Sequence, residues 1–395
     1  MNTQILQKIN IVREDMKKFF KEREEDIDGM LLALLSSNNA QWIGYPGTAK
    51  SLMVVTLTKA IEGANYFERL IGKFTVPDEL FGPPKISALK EDKFERKIEG
   101  KMPTAHIVFL DEIWKANIAI LNSLLKVTNE KKYENDGDLV DCPLISMFCA
   151  SNELPQDDQL KAIADRVMIW QIVRYIADDQ NFKDMVMNDS PPQLSVSLTL
   201  KELYEAQQDV LAVNFPESVV DVLIQIRNEL KKEGIEPSDR RFKNTKNIIR
   251  AFAYLQGRNV VQVEDLSILK YCLWSDPSHI TKVEHIIIAI SNPTQREADE
   301  VMDAIFSAIK SIEDLQNAPI SGENADEKEK DAKITLQSTE SIHKIKKGIA
   351  SLEKLKNQMK GEGRDTSAIE KYIEKATKLN QNIYEEILGM KKKGN

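Results

Sequence analysis

The sequence predicts an α/β core, a parallel sheet flanked by helices, followed by an all-α region and a helical tail. Three observations carry that reading. Strand-like runs recur through the first half of the chain at Ala40 to Ile43, Phe67 to Ile71, His106 to Leu110, Leu144 to Ala150 and Val167 to Val173, and those at His106 to Leu110 and Leu144 to Ala150 are apolar enough for strands buried on both faces of a parallel sheet. Helix-forming segments alternate with them up to about Pro192, the pattern of a sheet built from strand-helix-strand units. From Leu200 onward the apolar residues fall at helical spacing.

The first strand leads into Gly44-Tyr45-Pro46-Gly47-Thr48-Ala49-Lys50-Ser51, which fits the phosphate-binding pattern G-x-x-x-x-G-K-[ST]. Glycines let the chain curl so that consecutive backbone N–H groups face phosphate oxygens at the positive end of a helix, here expected to begin near Gly47. Lys50 would reach the terminal phosphates, and Ser51 would offer a hydroxyl to Mg²⁺. Gly44 to Leu52 is therefore the candidate nucleotide-binding segment. The next strand ends in Asp111-Glu112, where open α/β sheets bind ligands. Asp111 is a hard oxygen donor suited to the Mg²⁺ shell, and Glu112 can orient and deprotonate a water. The strand after that ends in Ser151-Asn152, with Asn152 within reach of a terminal phosphate or its water. A short helix, Gln159 to Ala164, is followed by Asp165-Arg166; Arg166 is either a surface ion-pair partner or a guanidinium that stabilises phosphoryl transition-state charge, supplied in cis or by a neighbour.

Two turn-rich stretches interrupt this core. Val76 to Thr104 contains Pro77, Gly82, Pro83, Pro84, Gly100 and Pro103 and reads as a long loop, whereas Lys132 to Pro143 reads as a hairpin with Asn135-Asp136-Gly137-Asp138 at its tip. Helices are expected at Leu200 to Val213, Ser218 to Glu233, Asp239 to Gln256 and Val263 to Trp274, punctuated by Pro216, Pro237 and Pro277. In the tail, Val301, Ile305, Ala308, Ile309, Ile312 and Leu315 fall on one helical face, and Ser341 to Lys360 and Thr366 to Met390 continue as helices broken by Gly361-Glu362-Gly363-Arg364. Asn317 to Asp331, extended to 333 as a boundary, reads as a flexible linker. The expected divisions are 1–192, 193–280 and 281–395, the last either a docking arm or a stiffening three-helix bundle.

The blocks Ile107-Val108-Phe109-Leu110-Asp111-Glu112-Ile113-Trp114-Lys115-Ala116, Ala150-Ser151-Asn152-Glu153-Leu154-Pro155 and Leu80-Phe81-Gly82-Pro83 resemble the RavA-type branch of the MoxR family of AAA+ ATPases, over roughly residues 10 to 280. The resemblance implies ATP or ADP with Mg²⁺, a ring of identical subunits (a hexamer), remodelling of protein clients, and a partner carrying a von Willebrand factor A domain. It makes Asn152 sensor 1 and Arg166 a finger acting on the next protomer's nucleotide. The block Ser238-Asp239-Arg240-Arg241-Phe242 would carry sensor 2, assigned to Arg240 in cis, with Arg241 as the alternative register. The two turn-rich stretches become channel-facing insertions, and Phe20 to Glu25 becomes part of the adenine pocket, with Phe20 a stacking residue or a core one. The gap in the tail is too short for the compact β-rich domain found in RavA itself.

Composition limits the partners. Against 54 Lys and Arg stand 62 Asp and Glu, a net charge of −8 that gives the chain no overall electrostatic footprint for nucleic acid. A nucleotide-gated scaffold and, less favoured, a nucleic-acid-dependent motor are the rival readings. Met1 to Phe20 is too charged for a signal peptide, no apolar run approaches a membrane span, and the three cysteines (Cys142, Cys149, Cys272) and four histidines show no metal-ligand spacing, all of which suits a cytoplasmic setting.

Overall fold

The computed structural model describes residues 1–155, 158–317, 327–361 and 366–383. Its strands are β1 (Asn39–Ile43), β2 (Ile61–Glu62), β3 (Tyr66–Leu70), β4 (Ile107–Asp111), β5 (Lys132–Asn135), β6 (Asp138–Asp141), β7 (Ser146–Ser151), β8 (Val167–Ile172) and β9 (Leu198–Thr199). Five of them form the central sheet in the order β3-β4-β7-β1-β8, with every neighbouring pair parallel. β1 sits between β7 and β8 with Ile43 opposite Ser151 and Ile172, and Asp111 of β4 lies opposite Ala150. The carboxyl ends of the inner strands therefore converge on one edge. β7 is buried along its whole length, as its uninterrupted apolar character demands.

Helices flank the sheet. α1 (Thr3–Phe19) is capped by Asn2, and α2 (Glu24–Leu35) is buried almost throughout, packing on β1 and β8. Gly29 lets α2 approach the sheet: a Cβ there would collide with the amide of Gln171. α3 (Lys50–Lys59) follows the glycine-rich loop. It starts at Lys50 and not near Gly47, because Ala49 sits in the left-handed region (φ 64) and forms the N-cap. The stretch read as one long loop holds α4 (Pro77–Phe81), α5 (Ile86–Leu89) and a tight turn at Met102–Thr104. The β5–β6 hairpin turns at Asp136-Gly137, both at positive φ as a two-residue hairpin loop requires. These two insertions are tied together: the Phe94 and Arg96 amides donate to Asp136 Oδ1 and Asn135 Oδ1 at 2.7 Å, and Phe81 stacks on Tyr133.

α6 (Ile118–Glu130) and α7 (Asp158–Ala164) complete the core, and α8 (Asp179–Val186) lies in the connection that follows β8. β9 pairs with β2 and leads, through a Thr199–Glu202 capping box, into α9 (Leu200–Ala212). α10 (Glu217–Lys232), α11 (Asp239–Leu255) and a 3₁₀ segment at Val263–Tyr271, where an α-helix was expected, precede α12 (Ile280–Ser291). Residues Met1–Ile287 form one compact unit and Ile288–Asn395 another.

In the second unit α13 (Pro293–Asn317), α14 (Glu327–Gly361) and α15 (Ser367–Asn382) share an apolar core that includes Ile305, Ala298, Ile345, Leu352 and Ile369. Ser341 donates to the Ala308 carbonyl at 3.0 Å, and Gly348 admits Ile305 and Val301 where a Cβ would not fit. Val301 and Ile309 pack against this core, as the helical stripe anticipates; the side chains of Ile312 and Leu315 lie outside the described residues. The expected linker is shorter than its composition suggested. Residues 318–326 and the Glu362 to Asp365 break lie outside the described residues, but 327–333 already belong to α14, since Glu, Lys and Ala are good helix formers. Among the described residues no helix is long and apolar enough to cross a membrane.

Candidate active site

The glycine-rich loop is shaped by its own sequence. A Cβ on Gly44 would meet the Val173 carbonyl oxygen, Gly47 has φ 79, and the Gly44 amide bonds the Ser151 carbonyl at 3.0 Å. Only glycine meets the first two demands without strain. Lys50 turns back into this cradle: its Nζ donates to the carbonyls of Gly44 (3.0 Å) and Tyr45 (2.7 Å) and to Thr48 Oγ1 (3.2 Å). Burial lowers the Lys50 pKa, and the nearby carboxylates of Asp111 and Glu112 oppose that shift. Three oxygens thus hold the ammonium where phosphate oxygens would compete for it. Ser51 is half-buried in the first turn of α3, whereas Leu52 and Tyr45 are exposed.

Asp111 ends β4 half-buried, and burial raises its carboxyl pKa against the pull of the Glu112 amide, which donates to Oδ1 at 3.0 Å, and of Lys50. Glu112 adopts the left-handed conformation (φ 55), which ends the strand and turns its side chain toward Lys115 (3.3 Å) and Ser151 Oγ (3.5 Å). Asn152 is exposed. The hydroxyl that touches Glu112 is that of Ser151, one residue earlier; its Oγ also accepts from the Glu153 amide at 3.1 Å. Among the described residues no group of three or more His, Cys, Asp or Glu could hold a metal. Ser51 and Asp111 suit Mg²⁺, which takes one or two protein oxygens and completes its shell with phosphate and water.

The arginines lie elsewhere. Arg166 immediately precedes β8 and donates to the Ala162 carbonyl, while Asn39, at the start of β1, bonds the Arg166 carbonyl. That is the amino edge of the sheet, a strand length or about 17 Å from the loop at 3.3 Å per residue. Arg240 lies with it: its guanidinium is 3.5 Å from Asp165, whose other oxygen accepts from Ser238 Oγ at 2.6 Å. In this arrangement the Arg240 guanidinium stands with Arg166 at the amino edge, away from its own chain's loop. Arg241 is buried, bonded to the carbonyls of Cys272, Ala164 (3.3 Å) and Met168 (3.2 Å), and lies over the Trp170 ring. Its fork holds α11 against β8, which leaves Arg240 as the exposed member of the pair.

Other residues at the loop escaped the sequence reading. Arg23 is buried and donates to the carbonyls of Glu22 (2.6 Å), Arg174 (2.6 Å) and Thr48 (3.4 Å), joining the start of α2, the end of β8 and the loop. Tyr175 stacks on Tyr45 with ring centroids 5.7 Å apart. A cavity of about 350 Å³ opens beside them, lined by Glu22, Arg23, Gln171, Arg174, Tyr175 and Tyr271. Among the described residues Gln171 Oε1, buried there, has no hydrogen-bond partner. Phe20, the other candidate for stacking, is a core residue packed edge-on against Phe19. The signal that could have found Arg23 was an arginine at the head of an otherwise acidic first turn, Glu24-Glu25-Asp26.

The model for the MoxR domain of MoxR–von Willebrand A–β-propeller ternary systems matches residues 7–196, and a AAA lid domain model matches residues 218–287. A Methanocaldococcus jannaschii protein known by its locus, MJ0079, is 40% identical over 76% of this chain and 78% of its own length. The Mycobacterium tuberculosis chaperone MoxR1 is 24% identical over 54% of this chain and 56% of its own length. A crystal structure of a Cytophaga hutchinsonii protein provisionally named an ATPase superposes with a TM-score of 0.59 at 18% identity, covering 73% of this chain and 94% of that one. The chain belongs to the MoxR family of AAA+ ATPases and is an ATPase of that family.

Proposed function

We propose that the chain hydrolyses ATP in a site shared between adjacent copies of a hexameric ring, and that turnover remodels protein clients together with a partner bearing a von Willebrand factor A domain. One observation carries the shared site: Lys50, Asp111, Glu112 and Ser151 gather at the carboxyl edge of the sheet, whereas Arg166 and Arg240 stand at the amino edge. The partner reading rests on the matched MoxR model, named for ternary systems that contain such a domain, and the client reading on the likeness to a MoxR chaperone. The RavA-like motif blocks agree with the same family, but the ternary-system model spans the whole core and guides the choice of partner better. We place the protein in the cytoplasm on composition.

ATP is the phosphoryl donor, and bound Mg²⁺ would neutralise the charge on its phosphates. The amides of Gly44 to Leu52 and the Lys50 ammonium hold the phosphates, Lys50 exchanging its loop carbonyls for phosphate oxygens. Ser51 and Asp111 would hold Mg²⁺. Glu112, kept in place by Lys115 and Ser151, takes a proton from the attacking water, and Asn152 reaches the terminal phosphate or its water from the adjoining strand end. Arg166 and Arg240 of a neighbour complete the charge stabilisation. The test is Glu112→Gln: ATP hydrolysis should fall by about 10²- to 10⁴-fold while nucleotide affinity is kept. Turnover equal to the unmodified protein would remove Glu112, and with it this mechanism.

A further inference from the structure

The strap that leaves β8, residues 174–178, is fastened at both ends. Arg23 donates to the Arg174 carbonyl at 2.6 Å, and the Glu22 carboxylate accepts from the amides of Ala177 and Asp178 at 2.9 Å. Tyr175 stands between the two fastenings. Its ring lies on that of Tyr45, the first variable residue of the glycine-rich loop, with centroids 5.7 Å apart and planes 7° from parallel. The Tyr175 hydroxyl donates to the Pro46 carbonyl at 3.4 Å. Tyr45 is 65% exposed and Tyr175 58%, so removing either ring leaves the core intact. What the stack fixes is the loop.

The loop needs such a hold. Gly44 and Gly47 let the backbone curl, but a glycine-rich segment left to itself loses more conformational entropy when a ligand orders it. In the free chain Lys50 supplies part of the support by donating to the Gly44 and Tyr45 carbonyls. That support is lost once the ammonium turns to phosphate oxygens. The contacts from the strap and its fastenings do not depend on Lys50: Tyr175 holds Tyr45 and Pro46, and Arg23 donates to the Thr48 carbonyl at 3.4 Å. The loop is thus tied from outside at two places, on either side of Gly47. A binding segment held in shape before its ligand arrives binds with less ordering cost.

We propose that Tyr45 and Tyr175 form a clasp that pre-organises the glycine-rich loop for phosphate, which makes Tyr175 a positioning residue for nucleotide binding. The inference rests on the reading of the loop as the nucleotide site and is independent of the ring and its arginines. Titration with ADP and Mg²⁺ should show Tyr45→Ala and Tyr175→Ala each weakening affinity by about 2- to 10-fold, the worth of an aromatic pair. The double variant should bind no more weakly than either single one, because both substitutions remove the same contact. Tyr175→Phe keeps the stacked ring and should restore affinity. In steady-state hydrolysis Tyr175→Ala should raise KM for ATP and leave kcat unchanged, since the clasp acts before chemistry. Unchanged or tighter binding by Tyr175→Ala, losses that add in the double variant, or a Tyr175→Phe protein as weak as Tyr175→Ala would overturn the clasp and leave the loop as the nucleotide site. Unmodified protein that binds neither ADP nor ATP would overturn the reading of the loop itself.

Discussion

The two edges of the central sheet are made by the same strands and do opposite things. At the carboxyl edge the side chains are mutually satisfied: Lys50 folds onto its own loop, and Glu112 is braced by Lys115 and Ser151. At the amino edge Arg240 pairs with Asp165 at 3.5 Å, and burial first, then the Arg240 charge, lowers the pKa of Arg166. On the proposed shared site, the difference separates holding a nucleotide, at the carboxyl edge, from completing the chemistry on it, which would fall to another copy.

The sharpest way to break that comparison is Arg166→Ala. If the amino edge serves a neighbour, turnover should fall by about 10³-fold, as loss of an arginine finger does. Mixing with Lys50→Ala chains should restore part of it, because each variant keeps the half the other lacks. An Arg166→Ala protein that is fully active as a monomer would reduce this arginine to a surface ion-pair partner.

Next in size is the contrast within Arg240-Arg241. Arg241→Ala should cost about 3 kcal/mol or more of stability, since it strands three carbonyls that Arg241 now satisfies. Arg240 is half exposed and its ion pair is solvent-screened, so Arg240→Ala should change stability by no more than about 0.5 kcal/mol while reducing turnover. Thermal unfolding of both variants beside an ATPase assay separates the two. Equal stability losses would mean that the register of the pair has been misjudged.

What the sequence made legible follows from which forces are local. The strands, the glycine-rich loop and the Asp111-Glu112 strand end could be read because burial on both faces and tight turns each demand particular residue types. The start of α3 was displaced by the backbone of Ala49, a non-glycine residue in the left-handed region that no pattern announces. The orientation of Arg240 was beyond the sequence because it depends on how α11 packs on β8, a tertiary choice made by Arg241 and Trp170. α8 went unread for a related reason: it has no buried face, so the periodicity that reveals other helices by their core side has nothing to report.

The smallest effect sharpens the carboxyl edge itself. Asp26, in the first turn of α2, is buried, and burial raises its pKa from the ordinary 3.8 to about 7 even though the Arg23 guanidinium pulls it down. The folded chain therefore keeps a proton on Asp26 that the unfolded chain releases near pH 4, and folding stability falls as pH rises between those two values. From pH 5 to pH 8 the loss should be about 2 to 3 kcal/mol at 1.36 kcal/mol per pH unit. Asp26→Asn removes the titration, so its unfolding midpoint should change less with pH and exceed that of the unmodified protein at pH 8. Arg23, whose charge acts on this carboxyl, donates to the Thr48 carbonyl, so ionising Asp26 at high pH changes the charge around the loop's brace. If Asp26→Asn instead lowers stability at pH 8, the Asp26–Arg23 attraction outweighs the cost of burying the charge, and the carboxyl edge is held by an ion pair.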